Sequence, residues 1–237
     1  PSGSGYALEN RLVSMRTLPA VLEHCRVQPL HEFFATTINA LFALAPHRPS
    51  NPRVVVLTAG PNSETYFEHS FFARQWGFPL VVGEDLTVRK SRVFLKTLAG
   101  LNAVDIILRR VDDDFCDPLE LRGDSLLGVP GLVQAARAGN VYVANALGSG
   151  LVEAPALVPF LPGLCRQLLG EHLHMPSVAT WWCGQPGPLR QVLDDLEQHV
   201  VKPAYPRFGH HAEFPAAMTA QARRELADRI EAHPSQY

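Results

Sequence analysis

The chain has 237 residues, of which 46% are hydrophobic and 19% charged, and its formal net charge is −2 at pH 7. This length suits one large domain or two small ones, and the composition is typical of a globular protein rather than a disordered one. The near-neutral charge argues against non-specific attraction to nucleic acid or to an acidic membrane, and no apolar run is long enough to span a bilayer. We therefore expect neither nucleic acid nor a membrane among its partners.

Cysteine usage indicates a cytoplasmic location. The four cysteines, at positions 25, 116, 165 and 183, form no CxxC pair, and a long chain poor in disulfides fits a reducing compartment. The N-terminal stretch PSGSGYALENR lacks the basic segment and apolar core of a signal peptide.

Two amphipathic helices are predicted first, over residues 9–25 and 29–45, because apolar residues recur there at three- and four-residue steps. Pro19 is expected to kink or divide the first helix. The polar, proline-rich stretch APHRPSNP that follows is typical of a connector.

Strands then alternate with helices from about residue 50 to residue 155, which predicts an α/β unit with a largely parallel sheet. VVVLTAG is the first buried strand, a helix follows over residues 64–77, and RKS forms a turn between two later strands. VDIILRRV and VYVANA are further strands, separated by a helix that ends at Gly139.

The remaining third of the chain is predicted to be mainly helical, with a proline-containing helix near residues 154–170 and another at PLRQVLDDLEQH. VVKPAYP is predicted to form a short strand, and Thr219 is the expected N-cap of a final helix.

The loop after the first strand, within TAGPNSETYFEH, is a candidate binding site. In open α/β sheets, ligands bind beyond the carboxyl ends of the strands, and a helix N-terminus attracts anions. Asn62 and Glu64 are therefore candidate contacts, and the alternative is that Asn62 or Ser63 merely caps the helix. His69, inside the helix, is expected to be structural.

A second candidate site is RRVDDDFCDP, where opposed charges follow a strand. Arg109 and Arg110 suit carboxylate or phosphate groups, and neighbours on a strand point to opposite faces. The aspartates at positions 112–114 could hold Mg²⁺ through their oxygens, or bind an amine. The alternative is a solvated loop in which these charges pair with one another.

Two further features suggest phosphate contacts. NALGSG, residues 145–150, is similar to a phosphate-cradling loop, although it fails the P-loop and GxGxxG spacings and could be a simple strand-to-helix turn. Lys202 would end a short apolar strand, where its ammonium could reach a phosphate or merely extend into solvent.

Six blocks of the sequence together resemble the circularly permuted type 2 ATP-grasp family, which is related in fold to the ligase half of glutathionylspermidine synthase and to eukaryotic glutathione synthetase. The blocks run in order along nearly the whole chain: PSGSGYALENRL, TAGPNSETYFEH, IILRRVDDDFCDPLELR, GNVYVANALGSG, MPSVATWWCG and VVKPAYP.

The resemblance implies an α/β fold in which a partly parallel sheet unit of the accessory, pre-ATP-grasp type is flanked by helices and joined to an incomplete ATP-grasp α+β portion. It places a helical segment of the ATP-grasp body at residues 1–48, the acceptor-substrate domain at 49–155, and a partial ATP-grasp subdomain at 156–237.

The resemblance also implies an ATP- and Mg²⁺-dependent ligase that phosphorylates a small-molecule or peptide carboxylate and transfers the acyl group to an amine. Arg110 and Asp113 would be the catalytic residues. The implied ATP contacts are Lys202, Gly148, Ser149 and Gly150. The implied substrate contacts are Ser2, Gly3, Tyr6, Asn62, Glu64, Arg109, Asp112, Asp114 and Asn145.

The chain departs from the family pattern in three places. The metal-binding strand would precede Pro1, the adenine-binding hinge would follow Tyr237, and the stretch after Lys202 is poorer in glycine than the usual flap. We therefore expect the Mg²⁺ ligands to lie outside this chain and the chain alone to be inactive. The alternative is a non-catalytic binding or scaffold domain that recognises a peptide or protein, whereas a Rossmann oxidoreductase is disfavoured because no strand leads into GxGxxG.

Overall fold

The computed structural model describes residues 4–46, 50–205 and 211–237. The chain forms two compact units, Pro1–Gly148 and Ser149–Tyr237, called the first and second unit below. The predicted division into three parts, with boundaries after residues 48 and 155, stays a prediction.

Helices open the first unit, and Pro19 divides the first predicted helix as expected. The three helices are α1 (Ser4–Thr17), α2 (Pro19–His24) and α3 (His31–Ala43). Pro19 is the first residue of α2, a position where the missing N–H is tolerated because first-turn N–H groups have no partner within the helix. On α3, Leu41 is buried against Val54 and Ile106 of the sheet.

The described residues of the first unit form seven strands, which confirm the predicted α/β fold with a parallel sheet. They are β1 (Val54–Thr58), β2 (Leu80–Val81), β3 (Leu86–Arg89), β4 (Arg92–Thr97), β5 (Gly100–Ala103), β6 (Ile106–Arg110) and β7 (Tyr142–Ala144). The parallel sheet has the order β2-β1-β6-β7, and β3, β4 and β5 form a separate antiparallel sheet. Every residue of β1 is buried, as expected for a parallel sheet covered on both faces.

The two faces of the parallel sheet have different neighbours. Val55, Leu57 and Ile107 face a core completed by Leu132 of α5 (Leu132–Arg137). The alternate residues face the side covered by α3 and α4 (Tyr66–Trp76). Since β1 and β6 pair in register from Val54–Ile106 to Thr58–Arg110, both strands end at the same edge.

The antiparallel sheet contains the predicted turn. Lys90 and Ser91 connect β3 to β4 with φ angles of 49° and 56°. Left-handed conformations at both central residues are typical of the two-residue hairpin turn whose twist matches that of the strands.

Buried thiols contribute to the cores of both units. Cys116 is fully buried in the core of the first unit and Cys183 is buried in the core of the second, whereas Cys25 is exposed and Cys165 is partly exposed. Burial raises the pKa of the Cys116 thiol to about 11, so this group remains protonated at neutral pH.

The second unit is mainly helical, with α6 (Leu161–Leu169), α7 (Pro186–Asp194) and α8 (Ala220–Ala232). The Thr219 hydroxyl accepts a hydrogen bond from the Ala222 N–H at 3.2 Å, which confirms the predicted N-cap of α8. Leu226 and Ile230 of α8 pack against Val192 and Val201.

The prediction of a short strand at VVKPAYP is wrong within the part of this stretch that the structure describes. Val201 makes a single antiparallel bridge with Glu213, and Lys202 lies beyond it. Pro203 follows at once, and because proline has no N–H and a fixed φ, a ladder cannot extend through it readily. Lys202 therefore follows a single bridged residue, Val201, and does not lie in a strand.

No helix within residues 4–46, 50–205 and 211–237 has both the length and the apolar character needed to cross a membrane.

Asp117 joins the loop after β6 to the start of α5. Its side chain is fully buried, and its oxygens accept hydrogen bonds from the N–H groups of Leu119 at 3.0 Å, Gly131 at 3.1 Å and Val133 at 2.9 Å. The carboxylate therefore satisfies two N–H groups at the α5 N-terminus from outside the helix.

We predict that Asp117→Ala lowers the free energy of unfolding by about 3 kcal/mol, because buried N–H groups lose a charged acceptor. Chemical denaturation measures this change. Asp124→Ala is the control, since the Asp124 carboxylate is largely exposed and pairs with Arg122 at the surface. Equal destabilisation by the two substitutions would contradict the role of Asp117.

Candidate functional site

The loop after β1 brings polar groups to the carboxyl edge of the parallel sheet. Gly60 has a φ of 96°, a conformation that favours glycine, and its N–H donates to the Thr58 hydroxyl at 3.2 Å. Asn62 and Glu64 are exposed on this loop. Neither Asn62 nor Ser63 is the N-cap of the helix that follows, because the residue at the N-cap of α4 is Thr65.

Behind this loop lies a buried polar cluster formed by Thr58, Glu68 and His69, whose exposed fractions are 1%, 3% and 5%. The Thr58 hydroxyl and the His69 Nδ1 are 2.8 Å apart. The Glu68 Oε2 accepts a hydrogen bond from the Gly5 N–H at 3.0 Å. This cluster connects β1, α4 and the first turn of α1.

Arg110 adds a positive charge to the same cluster. It pairs with Thr58 in the β1–β6 register, and its guanidinium carbon lies 5.2 Å from the centre of the Phe72 ring. Burial lowers the pKa of Arg110, although the nearby Glu68 charge acts in the opposite direction. A partly desolvated guanidinium at the end of a parallel strand is suited to bind a carboxylate or phosphate group.

His69 is held in its neutral form. Burial is the largest cause that lowers its pKa below 6.5, the Arg110 charge adds to this effect, and the Glu68 charge opposes it. At neutral pH the imidazole can therefore accept or donate a hydrogen bond without carrying a charge.

Sequence patterns predicted a functional role for Arg110 but none for Glu68 or His69. The available signal was two adjacent ionisable residues within the aromatic-rich stretch TYFEHSFFARQW, on a helix that covers a parallel sheet. Burying an ionisable group costs free energy unless the group has a partner. Ionisable residues are therefore unusual on a helix face that covers a sheet.

Arg109 points away from this cluster, as strand alternation predicts. Its Nη2 lies 2.5 Å from the Asp113 Oδ1, and its Nε and Nη1 donate to the carbonyls of Asn145 at 3.0 Å and Val111 at 2.7 Å. Arg109 therefore joins the acidic stretch to the loop after β7.

Asp113 completes this connection, because it accepts a hydrogen bond from the Gly148 N–H at 2.9 Å. The Gly148 N–H is therefore already hydrogen-bonded within the chain. Asp112 and Asp114 are exposed. The alternative in which arginines and aspartates pair with each other therefore describes Arg109 and Asp113, whereas Arg110 lies apart from the acidic stretch.

The three aspartates do not form a metal site by themselves. In the described part of the chain, no group of three or more His, Cys, Asp or Glu side chains is arranged to hold a metal ion. A Mg²⁺ ion held by consecutive aspartates, as the sequence allowed, thus finds no support in the geometry.

The N-terminal candidates are described only in part. Tyr6 is about half exposed and stacks on Phe67, with ring centres 4.8 Å apart and planes 18° apart. Ser2 and Gly3 lie outside the described residues.

In the second unit, Lys202 is exposed at the side of a groove of about 910 Å³. Trp181, Trp182 and Phe214 also line this groove. Ser149 and Gly150 begin a 3₁₀ helix of the second unit, whereas Gly148 belongs to the first unit. The predicted ATP contacts are thus divided between the two units.

We predict that the free energy of unfolding falls as the pH drops from about 7 to about 5, partly because of His69. The unfolded chain protonates this imidazole near pH 6.5, whereas the folded chain holds it neutral, so proton uptake favours unfolding. His69→Asn should flatten this pH dependence, as measured by denaturation at several pH values. His211→Asn, which changes an exposed imidazole, is the control, and equal flattening by the two substitutions would contradict the role of His69.

The chain is similar to several longer proteins. An uncharacterized protein of Synechocystis is 39% identical over 237 residues, which is 100% of this chain and 49% of the relative. An uncharacterized protein of Mycobacterium tuberculosis is 40% identical over 237 residues, 100% of this chain and 26% of the relative. A second M. tuberculosis protein is 39% identical over 222 residues, 93% of this chain and 40% of the relative.

The chain thus spans about half of these relatives or less. Over residues 1–237 the sequence matches the family described as circularly permuted ATP-grasp type 2, and the chain belongs to that family.

Proposed function

We propose that the protein carrying this chain is an ATP-dependent ligase that joins a carboxylate to an amine. The family supports an ATP-dependent ligase as the class of enzyme. The observation that carries the assignment is the partly buried guanidinium of Arg110, at the carboxyl edge of a parallel sheet in a chain of this family. In open α/β sheets this edge is where ligands bind.

Arg110 binds a carboxylate of the acceptor substrate through its guanidinium fork. Phe72 and the buried polar cluster fix the orientation of that guanidinium. Asn62 and Glu64, exposed on the adjoining loop, supply polar contacts at the rim. Arg109, Asp112–Asp114 and Asn145 frame the same edge, and Asp113 contributes mainly by holding Arg109 and the Gly148 N–H.

The groove of the second unit is our proposed ATP site. Its aromatic walls, Trp181, Trp182 and Phe214, suit a purine base, and Lys202 offers an ammonium group to the phosphates. Ser149 and Gly150 remain candidate phosphate contacts, and Mg²⁺ would be held by residues outside this chain.

ATP supplies its γ-phosphoryl group: the first substrate's carboxylate oxygen bonds to the γ-phosphorus, the P–O bond to the bridging oxygen breaks, and ADP leaves with that bonding pair, so the carboxylate becomes an acyl phosphate. When the amine attacks the acyl carbon, the new C–N bond forms, the C–O bond to phosphate breaks, and phosphate leaves with that bonding pair. The amine proton passes to solvent. The substrates are small molecules or peptides, and the protein acts in the cytoplasm.

We predict that Lys202→Ala weakens Mg-ATP binding by the intact protein about 10- to 100-fold, because a charge-assisted contact contributes about 1.5–3 kcal/mol. Isothermal titration calorimetry measures the dissociation constant. Lys96→Ala removes another exposed lysine, from β4, and should leave the dissociation constant unchanged. Equal affinity of Lys202→Ala and the wild type would contradict the proposed ATP site.

A wild-type protein that binds no nucleotide would instead favour the non-catalytic binding or scaffold domain.

We predict that Arg110→Ala lowers ATP turnover about 100-fold while Mg-ATP affinity stays within about twofold, because a substrate-orienting contact is lost and the proposed nucleotide contacts of the second unit are unchanged. Turnover is measured as phosphate release by the intact protein, with the common amino acids as carboxylates and hydroxylamine as the amine.

Arg122→Ala is the matched control for Arg110→Ala. The Arg122 guanidinium carbon also lies over a phenylalanine, 4.5 Å from the Phe115 ring centre, but it pairs with Asp124 at the surface. Normal turnover in Arg110→Ala, or an equal loss in Arg122→Ala, would contradict the assignment of the acceptor site.

A further inference from the structure

The start of α1 is held by a carboxylate from another helix. The Glu68 Oε2 of α4 accepts a hydrogen bond from the Gly5 N–H at 3.0 Å, in a buried contact between residues 63 positions apart. The first N–H groups of a helix have no partner within it, and its N-terminus carries partial positive charge. Glu68 therefore acts as an N-terminal cap for α1 from outside the helix.

Helices α1 and α4 approach each other closely at Gly5. A Cβ atom added to Gly5 would lie 2.8 Å from the Glu68 Cβ and Cγ, closer than real Cβ contacts allow. Tyr6 stacks on Phe67 at the same contact. The first turn of α1 thus has one defined position against α4.

Glu68 also faces the proposed acceptor site. Phe72 lies four residues later on α4, and side chains with this spacing share one face of a helix. Phe72 is the ring over which the Arg110 guanidinium stands. Glu68 therefore lies between the first turn of α1 and the end of β6, and its charge acts on both Arg110 and His69.

Packing alone does not explain a carboxylate at this position. Glu68 is 3% exposed, and removing a carboxylate from water carries a large desolvation cost that an apolar side chain of similar size would avoid. The carboxylate instead provides a directional hydrogen-bond acceptor for the α1 N-terminus, beside the guanidinium of Arg110.

We propose that Glu68 is a positioning residue for the acceptor substrate. Its carboxylate holds the first turn of α1, and with it Tyr6, against α4, the helix whose Phe72 lies under the Arg110 guanidinium. The role of this contact in turnover rests on the ligase function proposed above, whereas the alignment of α1 can be measured without any substrate.

The test compares Glu68→Ala with Glu68→Gln in the intact protein. The glutamine amide oxygen can still accept from the Gly5 N–H, but the alanine side chain offers no acceptor. We expect the Gly5 amide to exchange with deuterium at least about 10-fold faster in Glu68→Ala, and at nearly the wild-type rate in Glu68→Gln.

ATP turnover should fall when the first turn of α1 loses its alignment against α4. Under the assay used for Arg110→Ala, we expect Glu68→Ala to lose about 30-fold in ATP turnover with Mg-ATP affinity within about twofold, and Glu68→Gln to recover most of the loss. A general loss of folding would weaken Mg-ATP binding as well, so this combination separates positioning from a merely structural role.

Gly5→Ala tests the same alignment without altering an ionisable group. The added methyl group displaces α1 from Glu68, and we expect turnover to fall at unchanged Mg-ATP affinity. Gly163→Ala is the matched control, because Gly163 lies in α6 with no neighbouring atom within 4 Å of an added Cβ.

Three results would overturn the role of Glu68: normal turnover in Glu68→Ala, normal turnover in Gly5→Ala, or no recovery in Glu68→Gln despite restored protection of Gly5. Unchanged exchange of the Gly5 amide in Glu68→Ala would overturn the alignment itself. Wild-type protein that binds Mg-ATP but does not turn it over would overturn the proposed ligase and the role of Glu68 in it, while the exchange data would still decide the alignment.

Discussion

Parallel pairing of β1 with β6 determines where the ionisable groups of the first unit can lie. Thr58 and Arg110 are the last pair in the register, which places Arg110 on the side of α4 and Arg109 on the side of Asp113. Side chains alternate along a strand, so a slip of one residue would exchange the surroundings of the two arginines. The same slip would also move Ile107 from the core beside Leu132 to the side of α3 and α4.

Two buried carboxylates of this unit, Asp117 and Glu68, serve the same purpose. Asp117 accepts from N–H groups at the start of α5, and Glu68 accepts from an N–H group at the start of α1. Each belongs to a different element from the helix that it caps, so each fixes the position of a helix relative to a loop or a second helix. The desolvation of the two charges is offset by hydrogen bonds from groups that would otherwise lack partners.

Local patterns in the sequence predicted the fold well. The apolar run of β1, the division of the first helix at Pro19, the turn before β4 and the Thr219 cap all depend on neighbouring residues, and all four were confirmed. The strand at Lys202 was wrong because a β-type pattern before Pro203 says nothing about whether a partner strand exists. The hydrogen bond between Gly5 and Glu68 could not be predicted from the sequence, because it joins segments far apart in the sequence and depends on tertiary packing.

The thiols of the chain differ sharply in their surroundings. Cys116 and Cys183 are enclosed in the two cores, and burial raises the pKa of both, whereas Cys25 is exposed beyond α2 and Cys165 is partly exposed on α6. Maleimide dyes react with thiolates that they can reach, so they would attach to Cys25 and then to Cys165 while the folded cores stay unlabelled. The native chain therefore offers one attachment point in each unit for fluorescence distance measurements, without any engineered cysteine.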